Sequence, residues 1–217
     1  MRAVVYFGSR ALYDDFETAV TSLLAHTRVD KVYAVIEDDA LPYDLPVECV
    51  KWNGEGFNDL NTNGPWTRFG CLRAALPYLF PDLDRILSLD VDTIVEQDIG
   101  KLFELDLSGY YFAAARELRL SAARGRPYYN AGVCMMNLQL LRDSGKAAEM
   151  IRALNSEYMV YVSQDAMHKC CDRVLELPSV YNACCFTAPT ANVKIRHYAA
   201  RSDWRKLPEV ERWRHRE

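Results

Sequence analysis

Apolar runs and amphipathic segments alternate along the first hundred residues of the chain. Residues 2–7 alternate weakly and Lys31–Ile36 is rich in β-branched and aromatic residues, so both segments predict strands. Residues 14–25 between them carry apolar side chains at helical spacing. This order predicts a βαβ unit with parallel strands and a right-handed crossover. Another buried strand is expected at Arg85–Leu89. The pattern therefore predicts an α/β fold with a mainly parallel central sheet flanked by helices.

The remaining segments give shorter signals. Strands or apolar runs are predicted at residues 47–51, 110–115, 130–138 and 193–198, and helices at residues 67–79, 102–107, 140–154 and 164–171. Residues 53–65 are rich in Asn and Gly and lack apolar periodicity, which predicts a mobile loop that could serve as a lid. Residues 118–129 are predicted to form a short polar loop.

Two acids interrupt the apolar run that begins at Arg85. Asp90 and Asp92 follow the predicted strand directly, and the apolar run resumes at Thr93. Open α/β sheets bind their ligands at the carboxyl ends of strands, and this spacing lets both carboxylates approach one hard cation with Val91 turned away. The alternative is a strand end with two solvated acids, because so short a motif is common by chance.

Composition excludes several classes of function. The 217 residues suit one domain, half of them are hydrophobic, and a net charge of −4 lacks the basic footprint of a nucleic-acid-binding protein. The first residues do not resemble a signal peptide, and no segment approaches the ~20 apolar residues of a membrane span. We therefore expect a cytoplasmic protein, with the inner face of the membrane as the alternative location.

Seven cysteines are scattered along the chain, and four of them form two adjacent pairs, Cys170-Cys171 and Cys184-Cys185. This odd number suits buried thiols in a reducing cytosol better than a disulfide framework. A zinc site formed by His168, Cys170 and the second pair is an alternative, although a Cys-x-x-Cys spacing is absent from the sequence.

Four motifs follow one another along the chain: Asp90-Val91-Asp92, Asn130-Ala131-Gly132, Ser163-Gln164-Asp165 and His197-Tyr198. With these motifs in this order, the chain resembles the family 8 glycosyltransferases, which are retaining, sugar-nucleotide-dependent enzymes that include bacterial galactosyl- and glucosyltransferases and the glycogenins. The resemblance implies a single Rossmann-like domain of the GT-A type over residues 1–204, with residues 205–217 as a basic and aromatic tail. It also implies transfer of a hexose from UDP-glucose or UDP-galactose to a glycan, lipid or protein acceptor.

The resemblance implies roles for individual residues. Asp90, Asp92 and His197 would hold Mn²⁺, with Mg²⁺ as the alternative, and this mixed donor set favours the transition ion. Gln164 would be the catalytic residue, stabilising an oxocarbenium-like centre while the acceptor attacks from the side of the leaving group. The implied donor-binding residues are Phe7, Gly8, Ser9, Arg73, Val91, Glu117, Asn130, Ala131, Gly132, Asp165 and Arg201.

Three departures from the family pattern affect the expected specificity. Ser163 stands where the family has an acid, and Glu117 stands where it has an aspartate that contacts the sugar. After His197 the family usually has a lysine that contacts the diphosphate, for which Arg201 is the candidate replacement here. The short loop over residues 118–129 leaves less of the chain to shape an acceptor site.

Other interpretations remain open from the sequence. The run Leu89-Asp90-Val91-Asp92-Thr93 resembles the nucleophile loop of haloacid dehalogenase phosphohydrolases, although the threonine is one residue too early. A sugar-nucleotide-binding protein with weak or no turnover is another alternative, as is a self-glucosylating protein, since the chain has thirteen tyrosines. The basic and aromatic tail suggests weak peripheral membrane contact as an alternative to a solvated helix. The oligomeric state stays open.

Overall fold

A computed structural model describes residues 1–62 and 67–214 of the chain. Within these ranges the strands are β1 (Ala3–Phe7), β2 (Lys31–Ile36), β3 (Glu48–Lys51), β4 (Arg85–Leu89), β5 (Thr93–Val95), β6 (Phe112–Arg116), β7 (Tyr129–Asn137), β8 (Val174–Leu177) and β9 (Ile195–His197). The α-helices are α1 (Tyr13–His26), α2 (Leu76–Leu79), α3 (Leu118–Arg124), α4 (Leu138–Asp143), α5 (Lys146–Ser156), α6 (Ser163–Cys170) and α7 (Pro208–Glu211).

In the described part of the chain, seven strands form one central sheet in the order β3-β2-β1-β4-β7-β6-β8. β1 pairs in parallel with β2 and β4, whereas β7 runs antiparallel to both of its neighbours, β4 and β6. Because α1 connects the parallel strands β1 and β2, the βαβ unit predicted at the start of the chain is confirmed. The prediction of an α/β fold with a mainly parallel sheet is confirmed as well.

Both faces of the central sheet are covered. In β1, Val5 and Phe7 lie in one hydrophobic cluster, while Val4 and Tyr6 lie in a second cluster on the other face. Successive side chains of a strand point to opposite faces, so a strand buried on both sides must be apolar throughout. This explains why β2 and β4 were recognisable as apolar runs and why β1 shows only weak alternation.

A second, two-stranded sheet lies beyond the carboxyl end of β4. β5 begins directly after the turn formed by residues 90–92 and pairs antiparallel with β9, so that Thr93 lies opposite His197. The end of β9 is thereby placed beside the two acids, although it lies far later in the chain. The strand predicted at residues 193–198 is shorter in the structure but is present.

The carboxyl-terminal segment packs against this small sheet. Trp204 and Trp213 are only 5% and 4% exposed and form a hydrophobic cluster with Ile94. Arg205 donates to the buried carboxylate of Asp15 in α1, with 2.7 Å between Nε and Oδ1. The two tryptophans that suggested membrane contact are thus core residues, which corrects the aromatic part of that expectation. Within the described residues, no helix is long and apolar enough to cross a membrane.

The structure corrects two predicted boundaries. Residues 118–129, predicted to be a polar loop, contain the helix α3, whose described side chains are all at least partly exposed. Such a helix has no buried stripe, so apolar periodicity could not reveal it. The helix predicted at residues 140–154 is divided into α4 and α5 at Gly145, whose φ of 72° lies in the left-handed region.

Other predicted helices have different geometry. The helix predicted at residues 67–79 is a 3₁₀ segment, Arg68–Ala74, followed by the single turn of α2. The helix predicted at residues 102–107 is a 3₁₀ segment over Gly100–Glu104. β8 was not predicted, because only one of its four residues, Leu177, is buried and the strand lies at the edge of the sheet, so it gives little alternation.

The predicted loop over residues 53–65 is described only in part, since residues 63–65 lie outside the described ranges. Its first part is tied to α5 by asparagine side chains. The Asn155 carboxamide donates to the carbonyl oxygen of Gly56 at 2.7 Å, and its Oδ1 accepts from the N–H of Asn58 at 2.8 Å. Residues 53–62 are therefore anchored to the domain.

Candidate active site

The turn after β4 presents two carboxylates at the end of the middle strand of the central sheet. The N–H of Asp90 donates to the carbonyl oxygen of Gly132 at 2.8 Å, and the N–H of Tyr198 donates to the carbonyl oxygen of Asp92 at 2.9 Å. Val91 between the acids is buried in the core. The turn is held from two sides, while the side chains of Asp90 and Asp92 keep 33% and 28% of their surface exposed.

His197 completes a cluster with these acids. Its Nε2 lies 3.3 Å from Oδ1 of Asp92 and 3.6 Å from Oδ2 of Asp90. One potential ligand atom from each residue lies within 4.8 Å of the other two, and among the described residues this is the one group of three or more metal-ligating side chains with such spacing. Two carboxylates and one imidazole suit a borderline divalent cation. The predicted metal ligands are therefore brought together.

Gly132 makes room for the imidazole. A Cβ atom at this position would lie 2.1 Å from Cε1 and 2.6 Å from Nδ1 of His197, which is far closer than two carbon-bearing groups can approach. The histidine ring thus occupies the space that any other side chain would need. The glycine of the Asn130-Ala131-Gly132 motif is required by the candidate metal site.

Opposite charges shift the ionisation of this cluster. Burial alone would lower the pKa of His197, but the charge and hydrogen bond of Asp92, a hydrogen bond with Cys184 and the charge of Asp90 raise that pKa well above its usual value. Burial would raise the pKa of Asp90, but the charges of Arg73 and His197 lower it. The acids thus favour a proton on His197, and a divalent cation held by Asp90, Asp92 and Nε2 of His197 would take the place of that proton.

Arg73 lies in the 3₁₀ segment before β4 and reaches the acids. Its Nη2 forms an ion pair with Oδ1 of Asp90, and its guanidinium carbon lies 4.9 Å from the centroid of the Phe7 ring. The Nε atom of Arg73 is buried and has no hydrogen-bond partner among the described residues. Two predicted donor-binding residues, Arg73 and Phe7, thus meet beside the candidate metal site.

The Asn130-Ala131-Gly132 motif forms a bulge in β7. Cys134 lies opposite Ala114 of β6, but Asn130 already lies opposite Ala115, so three residues of β7 have no counterpart in β6. The N–H of Gly132 donates to Oδ1 of Asn130 at 3.0 Å and stabilises the bulge. Bulges redirect side chains at the ends of strands, and this one turns the motif toward His197.

Gln164 contacts the bulge from the first turn of α6. Its Oε1 accepts from the N–H of Ala131 at 2.8 Å, and its side chain also hydrogen-bonds to Tyr128. A carboxamide oxygen has two lone pairs, so one remains for a ligand. Val162 before this helix has φ 44° and ψ −116°, a strained conformation for a β-branched residue of the kind that is common at functional sites.

Asp165 uses its carboxylate within the protein. Oδ1 accepts from the hydroxyl of Tyr128 at 2.6 Å and from Nη2 of Arg124 at 2.7 Å, and Oδ2 accepts from the N–H of Tyr161 at 2.9 Å. Asp165 is only 9% exposed. Ser163, two residues earlier, is also buried. The structure places both residues near the bulge, and the predicted contact of Asp165 with a donor sugar stays a prediction.

The Glu117 carboxylate caps α3. Oε1 accepts from the N–H of Arg119 at 3.2 Å and Oε2 from the N–H of Leu120 at 2.7 Å. Helix amino termini leave such N–H groups unpaired, so this cap stabilises the helix. The side chain is 1% exposed. The predicted contact of Glu117 with the sugar stays a prediction, while its structural contact explains why an acid is placed there.

The residues predicted to bind the nucleotide lie at the carboxyl end of β1. The N–H of Gly8 donates to the carbonyl oxygen of Val35 at 3.2 Å, and a Cβ on Gly8 would lie 3.0 Å from Leu12. Ser9 precedes the 3₁₀ segment Arg10–Leu12. A cavity of about 560 Å³, with Arg10 among its lining residues, opens at this end of the sheet.

Arg201 lies on a second cavity, close to the candidate metal site. This cavity of about 350 Å³ is lined by Arg201, His197 and Cys184, among other residues. Nε of Arg201 donates to the carboxylate of Asp203 at 2.9 Å, and the side chain is about half exposed. Arg201 thus shares a cavity with a candidate metal ligand, and its predicted diphosphate contact stays a prediction.

The alternative zinc site is wrong within the described residues. The imidazole of His168 stacks on Tyr128, with 4.0 Å between the ring centroids, and its Nε2 hydrogen-bonds to the backbone of Tyr129. Cys170 lies in the hydrophobic core, whereas Cys184 lies beside His197. His168 is therefore a satisfied core histidine, and among the described residues it belongs to no group of three side chains with metal-ligand spacing.

His168 predicts a pH dependence of stability. Burial lowers its pKa from 6.5 to about 4, helped by the charges of Arg126 and Arg124 and opposed by Asp165 and a backbone hydrogen bond. Between these values the unfolded chain binds a proton that the folded chain does not, so stability present above pH 6.5 is lost as the pH falls toward 4. Each pKa unit corresponds to 1.36 kcal/mol, which gives a loss of about 3 kcal/mol.

We expect urea unfolding between pH 7.5 and 4.5 to show this loss in the wild-type protein and a smaller loss in His168→Gln, which has no titrating ring. The difference between the two proteins in free energy of unfolding should therefore shrink toward low pH. Parallel pH profiles for the two proteins would contradict the assignment of a neutral His168.

The family model for glycosyl transferase family 8 matches residues 20–202, which is most of the chain. The chain belongs to glycosyl transferase family 8. The resemblance predicted from the four motifs is thereby confirmed, and the match argues against the haloacid dehalogenase interpretation.

Curated relatives of this family 8 chain are found in streptococci. It is 24% identical to the probable glycosyl transferase Gly of Streptococcus gordonii over 206 residues. That alignment covers 87% of the chain and 29% of the relative. It is 34% identical to glycosyltransferase GlyE of Streptococcus pneumoniae serotype 4 over 152 residues. That alignment covers 63% of the chain and 36% of GlyE. The chain thus spans about one third of the length of these two relatives.

Solved structures support the same fold for the family 8 chain. The crystal structure of pneumococcal GlyE aligns with a TM-score of 0.74 and 26% identity, covering 98% of this chain and 60% of GlyE. The galactosyltransferase LgtC, solved in complex with donor and acceptor sugar analogues, aligns with a TM-score of 0.76 and 18% identity, covering 97% of this chain and 93% of LgtC. These alignments confirm the predicted GT-A fold.

One residue at the centre of the site was missed from the sequence of this family 8 chain. Asn182 is fully buried, and its Oδ1 lies 3.0 Å from Nδ1 of His197. It follows the 3₁₀ segment Ser179–Tyr181 and is not part of any of the four motifs. Single asparagines between strands are common in loops, so the sequence alone did not mark this one.

Proposed function

We propose that the protein is a metal-dependent, retaining glycosyltransferase. It moves a hexose from UDP-glucose or UDP-galactose to a hydroxyl group of a glycan, lipid or protein acceptor. The observation that carries this proposal is the cluster of Asp90, Asp92 and His197 beside the bulge that holds Asn130. The crystal structure of LgtC in complex with donor and acceptor sugar analogues supports a nucleotide-sugar donor and a sugar acceptor for this chain as well.

The three clustered side chains would hold the cation, and Mn²⁺ suits them better than Mg²⁺ because one ligand is an imidazole nitrogen. A divalent cation bound there would neutralise charge on the departing diphosphate. Arg73 adds a positive charge at this position, since it is buried against Asp90 and its Nε has no hydrogen-bond partner in residues 1–62 and 67–214. A phosphate oxygen or sugar hydroxyl would satisfy that donor.

Gln164 is the residue that would support transfer with retention of the anomeric configuration. The carboxamide oxygen that accepts from the N–H of Ala131 has a second lone pair, which can stabilise positive charge at the anomeric carbon. An uncharged amide is a poor nucleophile, so a covalent intermediate on Gln164 is disfavoured. The acceptor hydroxyl would then attack from the side of the leaving group, with the departing phosphate as its base.

Gln164→Ala is expected to lower kcat by about a hundredfold, because removing one preorganised electrostatic group costs that much in comparable sites. The KM for the donor should change much less. Steady-state release of UDP measures both values. Gln139→Ala, an exposed glutamine in α4, is the matched control and should behave like the wild type. Near-normal kcat in Gln164→Ala with normal donor binding would contradict this role.

A thermal-shift panel tests the donor class. UDP-glucose, UDP-galactose, UDP-N-acetylglucosamine and GDP-mannose would each be added with Mn²⁺ and with a chelator. A ligand that binds the native state raises Tm, and we expect the UDP-hexoses to do so only with Mn²⁺. A preference for a guanosine nucleotide, or equal shifts in the chelator, would contradict the proposed donor or the proposed metal dependence.

A further inference from the structure

Asn182 joins the two halves of the candidate site. Its Nδ2 donates to Oδ1 of Asn130 at 2.9 Å, and its Oδ1 faces Nδ1 of His197 at 3.0 Å. Asn182 is fully buried, and its own carbonyl oxygen accepts from the hydroxyl of Thr187 at 2.7 Å. One carboxamide therefore contacts both a candidate metal ligand and a candidate sugar-binding residue.

One backbone N–H group fixes the donor and the acceptor in each of the hydrogen bonds that link Gly132, Asn130, Asn182 and His197. The N–H of Gly132 can only donate, so the atom of Asn130 that faces it at 3.0 Å must be the oxygen. The atom of Asn182 that faces the same oxygen must then be its NH₂ group. Consequently the oxygen of Asn182 faces His197, and Nδ1 of that ring must carry a proton.

A neutral imidazole that is protonated at Nδ1 presents a lone pair at Nε2. Nε2 is the ring atom that lies beside the carboxylates of Asp90 and Asp92. The chain of hydrogen bonds thus selects the one neutral tautomer of His197 that can bind a cation in this cluster. Hydrogen-bond partners of this kind usually orient the histidines that bind metals.

The same bonds fix the carboxamide of Asn130. Its oxygen accepts from both Gly132 and Asn182, which leaves Nδ2 as its free end. No described residue accepts a hydrogen bond from this Nδ2. The atom is not fully buried, so it keeps some exposed surface. Asn130 is therefore held as a hydrogen-bond donor that stays accessible to a ligand.

We propose that Asn182 is a positioning residue that fixes the Nδ1-protonated form of His197 and, at the same time, the orientation of Asn130. Asn182 thus contributes both to metal binding, through His197, and to donor binding, through Asn130. This inference rests on the proposed function for its consequences in catalysis, but the hydrogen bond to His197 is testable in the protein without metal or donor.

The first test reads the proton on His197 directly. Long-range ¹H–¹⁵N spectra of the metal-free protein identify each ring nitrogen, and loss of the signal in His197→Gln assigns it. We expect a slowly exchanging proton on Nδ1 in the wild type and in Asn182→Asp, whose carboxylate also accepts from Nδ1. Asn182→Ala should lose the slow exchange. An unprotonated Nδ1 in the wild type, or unchanged exchange in Asn182→Ala, would overturn the inference.

The second test separates the two contacts of Asn182. Asn182→Ala should weaken Mn²⁺ binding by about 10- to 100-fold, as is common when the partner of a metal-bound histidine is removed. Asn182→Asp keeps the acceptor for His197 but has no donor for Asn130, so it should retain Mn²⁺ affinity and raise the donor KM by about tenfold, the cost of one lost hydrogen bond. Calorimetry with Mn²⁺ and UDP-release kinetics measure the two quantities.

Asn137→Ala is the matched control, because Asn137 lies at the other end of β7, where it caps α4 and donates to the carbonyl oxygen of Leu107. It should lower Tm without changing Mn²⁺ affinity or donor KM. If Asn182 had a purely structural role, Asn182→Ala and Asn182→Asp would both lose Mn²⁺ affinity and both raise the donor KM. That result would overturn the inference. Absence of Mn²⁺ binding in the wild type would instead refute the proposed function and leave the proton measurement to judge Asn182.

Discussion

Asp92→Asn is expected to lower the rate of UDP release from the donor by about a thousandfold, the size of effect seen when a group that stabilises developing charge is removed. Asp92 is the better target of the two acids, because its carboxylate faces His197 without the additional ion pair that Asp90 makes with Arg73. Removing the charge of Asp90 would also leave a buried guanidinium unpaired and lower stability. Mn²⁺ titration calorimetry and UDP release measure the expected loss.

Asp82→Asn is the control for this change. Asp82 is exposed and precedes β4, at the opposite end of that strand from the candidate site, and its substitution changes the net charge equally. We expect wild-type affinity for Mn²⁺ and wild-type turnover in this variant. Retention of Mn²⁺ binding and turnover in Asp92→Asn would remove Asp92 from the set of metal ligands.

Gly132→Ala is expected to displace the ring of His197 and to abolish Mn²⁺ binding. The new Cβ would lie 2.1 Å from Cε1 of the ring, while the Gly132 backbone is held in place by the N–H of Asp90. Either the ring or the strand must move, and such overpacking costs about 1–3 kcal/mol of stability. Mn²⁺ affinity should fall by at least about a hundredfold, since a misplaced ligand is lost to the site. Calorimetry and urea unfolding measure the two effects.

Two further variants separate this steric effect from general damage. Gly70→Ala is the control, because its Cβ would find Val162 at an ordinary distance of 3.4 Å. The double variant Gly132→Ala/His197→Ala removes the ring that clashes, so its stability should recover relative to Gly132→Ala while Mn²⁺ binding stays lost. Wild-type Mn²⁺ affinity in Gly132→Ala would show that the histidine does not occupy the described position when it binds a cation.

The strands that carry the site were predictable because both of their faces are buried. β2 and β4 have the bounds predicted for them, and α1 differs from its predicted bounds by one residue at each end. In a buried strand or an amphipathic helix, the spacing of apolar residues follows from which side chains face the core. α3 and β8 lack this signal, since their side chains are largely exposed or lie at a sheet edge, and the sequence did not reveal them.

The candidate metal site could be predicted only through the order of motifs. The spacing of Asp90 and Asp92 suggested a cation, but no local pattern connects them to His197. Their proximity depends on the pairing of β5 with β9, which is a long-range contact between two three-residue strands. The same limit applies to Gly132, whose need for glycine is set by a ring from a distant part of the chain.

The hydrogen-bond partners of Asn182, Glu117 and Asp165 could not be predicted from the sequence. Glu117 was expected at a sugar, yet both of its oxygens accept from the first turn of α3. Asp165 was also expected at a sugar, which stays a prediction, and its carboxylate accepts from Arg124 and Tyr128 within the protein. Short polar side chains serve caps, core networks and ligands alike, so their partners decide their role.

Release of UDP from UDP-glucose and UDP-galactose by the chelator-treated protein, with and without added Mn²⁺, tests the proposed function most directly. Slow hydrolysis of the donor makes this measurement independent of the acceptor. The proposed glycosyltransferase predicts release of UDP that depends on Mn²⁺ and stops when excess chelator is added. Equal release in the presence of chelator, or donor binding without release of UDP under either condition, would contradict a metal-dependent transferase.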